Sequence, residues 1–287
     1  MAAPAAGVLR VQLGSMTATT VSDGIIQRPL AEGFVRNAPL AAVQQALKDA
    51  GLPTDQLTVP YVPVVADVGG QRVLFDTGNG EFGAPTNGKL LENLGRAGIA
   101  PDAITAVVIS HCHGDHINGL RNKAGALVFP RARIYVPTPE WAWWMDDQRM
   151  TAAPDAIKGV FNAARRVFGP IAQQRVRFEP GAEVLPGVRS LPAFGQSPGH
   201  AAFTIDGGGQ KLMYWADAAN IAALFVRNPD WAVQFDMDAE AARQTRRRLA
   251  DRVIRENMLL AGYHLPGSSI GRLAVSGNGY DFTPLMA

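Results

Sequence analysis

Short apolar runs bounded by glycine and proline dominate the first third of the chain and predict strands joined by turns. Tyr61–Val68 is mostly apolar, Gly69-Gly70 supplies a turn and Arg72–Phe75 returns, predicting a hairpin that ends in Asp76-Thr77-Gly78. Lys89–Ala97 places Leu90, Leu91 and Leu94 on one side with Gly98 as a stop, as a helix does. Ala106–Ser110 and Ala132–Val136 are too short for helices and predict strands, the second closed by Pro137 and Pro139. Between Asp155 and Phe168, residues Ile157, Val160, Phe161, Ala164, Val167 and Phe168 recur with the period of an amphipathic helix. A second strand series follows, in which Gly207-Gly208-Gly209 turns into Lys211–Ala216 with Asp217 at its end. Asp238 suits the N-cap of a long helix to about Asn257 that carries Ala242, Leu249, Val253 and Ile254 inward. Leu259–Tyr263 then leads to His264, and a last strand-like stretch lies near Arg272–Phe282.

Strands, helix, strands, helix, with no internal repeat or low-complexity linker, predict one domain over residues 1–287. Two packed sheets with helices outside would bury the sheet faces and the helix stripes together, an α/β or α+β arrangement. A hydrophobic content of 47% suffices for such a core and excludes wholesale disorder. The balance of 27 basic and 25 acidic residues is too even for a nucleic-acid surface, so the expected partner is a small molecule. A lone cysteine, Cys112, excludes an intramolecular disulfide and reads as a small buried side chain. No apolar run approaches the roughly 20 residues of a bilayer span, which predicts a soluble chain with no membrane partner. The Ala-rich start, Met1–Val8, lacks the basic region of an intact secretory signal, and cytoplasm and periplasm both stay open.

The candidate chemistry sits in Ser110-His111-Cys112-His113-Gly114-Asp115-His116, directly after a predicted strand. In an extended loop alternate side chains point the same way, so His111 and His113 can address one metal ion. Gly114 permits a sharp turn that lets Asp115 and His116 face a neighbouring ion. Imidazole and carboxylate suit borderline-soft divalent metals, zinc first, with Mn, Co or Fe also compatible. The other histidines are His200, in the tight loop Ser197-Pro198-Gly199-His200, and His264. Asp76, His111, Asp217 and His264 each stand where a strand-like run stops, so a sandwich could gather them at one sheet edge. Ordinary polar loops would not collect all five histidines of the chain in this way. Asp76 alone reads equally as a turn former. Gly267-Ser268-Ser269-Ile270-Gly271 matches the nucleophile elbow of serine hydrolases, but no helix is predicted after it and no histidine follows it. Arg246-Arg247-Arg248 reads as the solvated face of its helix.

Taken together, Phe75-Asp76-Thr77-Gly78, His111–His116, Pro198-Gly199-His200, Asp217 and His264 resemble the metallo-β-lactamase-fold superfamily of metal-dependent hydrolases. The resemblance implies an αββα sandwich, two packed mixed sheets flanked by helices. It also implies that His111, His113 and His200 hold one metal, that Asp115, His116 and His264 hold a second, and that Asp217 bridges them. Asp76 would be a carboxylate that orients a ligand histidine. Phe82–Leu90, Ala132–Val136 before Trp141, Phe235-Asp236-Met237-Asp238 and Gly262–Pro266 resemble most the branch of quorum-signal lactonases, aryl-lactone hydrolases and methyl-parathion hydrolases. By position, Phe82, Trp143 or Trp144, Phe161 and Phe235 would line the pocket there, with core packing the alternative for each. The expected reaction is the opening of lactones or cleavage of aryl esters by a metal-bridging hydroxide, Asp115 or Asp217 passing a proton to the leaving oxygen. Phosphotriester hydrolysis is an alternative or secondary activity. An RNA-processing metallonuclease and a non-catalytic metal-stabilised binding module are further alternatives. The resemblance also implies a homodimer, which exposed aromatics near Trp141–Trp144 would suit.

Overall fold

Two seven-stranded sheets lie face to face, with helices on both outer surfaces. In the computed structural model, which describes residues 7–171 and 175–286, β1 (Val8–Leu13) and β2 (Met16–Val21) begin the first sheet as a hairpin. The first six residues of the Ala-rich start lie outside the described residues. β3 (Gly24–Pro29) and β4 (Gln56–Tyr61) form a separate two-stranded ribbon, with α1 (Leu40–Asp49) between them. The sequence pattern predicts strands alone in this region. The helix is a difference whose signal was short, resting on Val43 and Leu47 buried four residues apart. Tyr61 belongs to this ribbon, so the expected hairpin is narrower, β5 (Val64–Val68) with β6 (Gln71–Phe75).

The first sheet continues through β7 (Ala106–Val108), β8 (Arg133–Pro137) and β9 (Arg175–Phe178), all parallel to β6. Between these strands come α2 (Leu90–Arg96), the one-turn α3 (Gly114–Ile117), α4 (Thr138–Trp144), α5 (Asp147–Ala152) and α6 (Asp155–Phe168). Pro137 and Pro139 close β8 as expected. Pro139 also opens α4, because the first turn of a helix needs no proline N–H. The second sheet runs through β10 (Glu183–Leu185), β11 (Val188–Pro192), β12 (Ala201–Ile205) and β13 (Leu212–Tyr214). After α7 (Ala239–Arg255) it is completed by β14 (Leu259–Ala261), β15 (Ile270–Ser276) and β16 (Gly279–Pro284). The last strand-like stretch is thus a hairpin, and Asp238 caps α7 by accepting from the Ala241 N–H at 3.0 Å.

Three apolar layers hold the sandwich. Phe75, Val108, Phe203, Tyr214 and Ala261 pack between the sheets. Leu94, Trp144, Phe161 and Phe168 fill the space between the first sheet and its helices, while Val43, Trp215, Leu249 and Val253 do so for the second. Each buried Val, Leu or Phe among them contributes roughly 1.5–3 kcal/mol. Arg246 departs from the expected solvated face. Its guanidinium is buried, donates to the carbonyls of Ala218, Pro229 and Trp231, and lies 3.7 Å from Asp236. The helix therefore turns one arginine inward, where it satisfies three loop carbonyls. The 267–271 loop runs straight into β15, and buried Ser269 spends its hydroxyl on the Leu265 carbonyl at 2.6 Å.

Candidate metal centre

Strand direction brings the polar residues together. β6 and β7 are parallel, as are β13 and β14, so each pair releases its C-terminal ends side by side. Asp76 directly follows β6, while His111, Asp217 and His264 come just after β7, β13 and β14. His113 is the extended residue before α3, and that turn carries Asp115 and His116 round to the other side. Asp76 takes a left-handed backbone at φ 59°, a strained setting for a non-glycine residue that aims its carboxylate back under the loop. The loop of His200 approaches α4 so closely that a Cβ on Gly199 would stand 2.4 Å from the Glu140 nitrogen.

Each of the five imidazoles has its Nδ1 engaged. His116 Nδ1 lies 2.8 Å from Asp76 Oδ2, and Asp76 also accepts from the Ser110 N–H and hydroxyl and from the Tyr214 hydroxyl. His200 and His264 donate Nδ1–H to the carbonyls of Ala193, at 2.8 Å, and Pro60, at 2.7 Å. His111 meets the Ser110 hydroxyl at 3.0 Å and His113 the Gln196 amide at 2.8 Å. A carbonyl can only accept, so in the neutral rings of His200 and His264 the Nε2 carries the lone pair, which at His200 accepts from the Asp217 N–H at 3.2 Å.

Those free edges converge. The ligand atoms of His111, His116 and Asp217 lie within 4.8 Å of one another, and so do those of Asp115, His116 and His264. His116 Nε2 is 3.2 Å from Asp217 Oδ1, and His264 Nε2 is 3.2 Å from Asp217 Oδ2 and 3.4 Å from Asp115 Oδ2. His113 and His200 fall outside these two groups but stand beside His111, with ring centroids 4.6 and 5.0 Å away. His111 Nε2, His116 Nε2 and Asp217 Oδ1 are buried without a hydrogen-bond partner of good geometry, a costly arrangement unless a cation satisfies them. Burial lowers the basicity of all five rings, and His111, His113 and His200 stay below the ordinary imidazole value. At His264 burial is outweighed by Asp217 and Asp115, which carry it up to about 10, and His116 is raised by the same carboxylates and Asp76. Burial works against ionising Asp217 and Asp115, yet the neighbouring histidines hold both below the usual carboxylate range. Neutral imidazoles beside imidazolium–carboxylate pairs are the protonated form of a donor set of the kind that binds divalent cations, and the residues fit such ions.

Sequence reasoning missed the residues that hold these loops. Glu140 is fully buried on α4 and accepts from Cys112 N–H at 2.9 Å, Trp144 Nε1 at 2.7 Å, the Ser197 hydroxyl at 2.5 Å and Gly199 N–H at 2.7 Å. It ties the 110–116 loop to the 196–200 loop, and no motif announces it. Gln196 was within reach, two residues before Pro198 in the histidine loop.

A cavity of about 320 Å³ opens over the centre. The β3–β4 ribbon supplies one wall through Ile26, Arg28, Val59 and Tyr61; Phe34, Ile221 and Phe235 supply another. Of the aromatics expected at the pocket, Phe235 lines it. Trp144 and Phe161 instead pack on each other in the outer layer, ring centroids 4.8 Å apart, with Trp144 backing His113. Phe82 and Trp143 lie under the guanidinium groups of Arg166 and Arg149. The expected exposed face at Trp141–Trp144 is likewise covered, with Arg175 over Trp141 and Trp144 buried. No helix among the described residues is long and apolar enough to cross a membrane.

The model of the metallo-β-lactamase superfamily matches residues 60–256. The chain belongs to the metallo-β-lactamase superfamily. No curated protein matches it. Among solved structures this superfamily hydrolase is similar to AidC, a dizinc quorum-quenching lactonase in complex with a product, at 25% identity and a TM-score of 0.92 over 99% of both chains. It is similar to the hydrolase AbOPH at 22% identity and a TM-score of 0.90, covering 98% of each chain. A quorum-quenching N-acyl homoserine lactone lactonase follows at 18% identity and 0.62, over 90% of this chain and 94% of the other. The αββα sandwich expected from the motifs is the observed fold.

Proposed function

We propose that this hydrolase opens the ester bond of lactones or cleaves aryl esters, with aryl lactones and N-acyl homoserine lactones as the reference substrates. The observation that carries the reading is the convergence of His111, His116, His264, Asp115 and Asp217 at the floor of a cavity whose wall carries an apolar patch of Ile26, Phe34, Val59, Ile221 and Phe235. Likeness to AidC over nearly the whole chain supports the substrate class.

His111, His113 and His200 would hold one divalent ion, Asp115, His116 and His264 a second, and Asp217 both, with zinc the first choice of metal. Such a pair supplies Lewis acidity toward a carbonyl and lowers the pKa of water. Asp76, Gln196 and the backbone carbonyls of Pro60 and Ala193 keep the rings aimed. Asp115, the more exposed of the two floor carboxylates, would pass a proton to the leaving oxygen, and the Tyr263 hydroxyl donates to its backbone carbonyl at 2.5 Å. Burial and the two aspartates keep the Tyr61 phenol protonated, so it serves as a neutral donor on the wall. Ile26, Phe34, Val59 and Phe235 exclude water and receive the acyl or aryl group.

Turnover of N-hexanoyl homoserine lactone, dihydrocoumarin, phenyl acetate and methyl paraoxon by the metal-loaded protein, with elemental analysis, tests the reading. Lactones are expected to rank first. Inactivity toward every lactone and ester removes it, and a preference for paraoxon moves the main activity to phosphotriesters.

A further inference from the structure

We infer that Arg28 selects esters and lactones that carry a second, non-reacting carboxylate, held by the guanidinium while the scissile carbonyl faces the floor of the cavity. The inference rests on the hydrolase reading above and adds to it the charge of the substrate.

Alternation along β3 puts Ile26 and Arg28 on the same side of the ribbon, and the pairing of Ile26 with Val59 and of Gly24 with Tyr61 puts the β4 side chains there too. Among the described residues Arg28 is the one lysine or arginine on the cavity wall. Its Cζ stands 5.6 Å from the centre of the Phe34 ring and 5.2 Å from that of Phe235, the two rings meeting edge to face. Among the described residues no carboxylate forms an ion pair with it, whereas Arg72, Arg246 and Arg247 each have an aspartate. The acidic groups of the same cavity, Asp115 and Asp217, are committed to His116 and His264.

A guanidinium that rests on aromatic rings leaves in-plane N–H donors free, and that fork matches the two oxygens of a carboxylate. A neutral ligand closing the cavity would strip water from this cation and return nothing, while an anionic group would replace the lost solvation. With two divalent ions held as proposed above, their charge would outweigh that of Asp115 and Asp217, and Arg28 would add to a positive field that favours anionic substrates.

The test compares kcat/KM for 4-carboxyphenyl acetate and phenyl acetate in the metal-loaded wild type, R28K, R28Q and R28M. Differences in leaving-group reactivity cancel when the ratio of the two substrates is compared between proteins. Relative to wild type, R28M and R28Q are expected to lower that ratio about tenfold and R28K less, with added NaCl shrinking the wild-type ratio. A ratio in R28M within about twofold of wild type overturns the inference. Retention by R28Q also overturns it, because an amide offers hydrogen bonds without charge. Calorimetric binding of terephthalate and benzoate to the same metal-loaded proteins decides the matter without turnover. Tighter binding of terephthalate in wild type that vanishes in R28M supports the role of Arg28, and equal binding in wild type refutes it. Absence of turnover on every ester and lactone would count against the hydrolase reading instead.

Discussion

The floor of the cavity and its wall are built on opposite principles. On the floor every imidazole is fixed by a hydrogen bond on its far side, Glu140 ties two ligand loops together, and the atoms left without partners all face one centre. On the wall, Ile26, Phe34, Val59 and Phe235 offer contact area, and Arg28 is a cation with no carboxylate paired to it among the described residues. Bond-breaking chemistry needs groups that do not move, so the floor invests in rigid polar support. Recognition of a substrate needs surface and a few directed donors, so the wall can change with little effect on the fold.

The comparison is tested most severely at Asp217. Asp217→Ala is expected to lower turnover roughly a thousandfold or more, with loss of bound metal by elemental analysis; full metal content with wild-type rate would break the account of the floor. Glu140→Gln places an NH2 where an oxygen now receives two donors. It should cost about 2–4 kcal/mol in urea unfolding and reduce turnover by roughly tenfold or more, and no change in either would show that the loops hold themselves. Asp236 supports the wall from behind beside Arg246. Burial raises its carboxyl to about 6, so the folded state favours the protonated form relative to the unfolded chain. That contribution is present below about pH 4 and is lost as pH rises through 6. Between those values wild type should lose up to about 3 kcal/mol relative to Asp236→Asn, read from unfolding midpoints across pH; parallel curves would refute the buried-carboxyl account. Phe235→Ala is expected to have the smallest effect, a rise of about threefold in KM for a long-chain acyl lactone, because its ring is 40% exposed; a collapse of kcat instead would move Phe235 onto the floor.

Legibility in the sequence followed the same division. Asp155–Phe168 and the long helix capped by Asp238 were readable because a buried face imposes its period on consecutive residues. His111, His113, Asp115 and His116 were readable because a metal-binding loop compresses rare residue types into a short span. Trp144 and Phe161 were expected at the pocket and lie in the outer layer, since an aromatic side chain carries no mark of which surface it faces. Arg246 was expected in solvent and is buried, because the carbonyls it satisfies come from a loop that precedes α7 by many residues.

The residue order by itself determined the class of fold and the strand ends and marked His111, His113, Asp115 and His116 as candidates for metal, because these depend on local period and on uncommon residue types at close spacing, while His200, Asp217 and His264 were assigned to the metals only through the resemblance. Tertiary structure alone decided that the β3–β4 ribbon roofs the centre, that Glu140 joins two ligand loops and that Arg28 faces the cavity with no carboxylate paired to it among the described residues. These are contacts between segments far apart in the chain, and nothing in a local pattern encodes which distant backbone will arrive beside a given side chain.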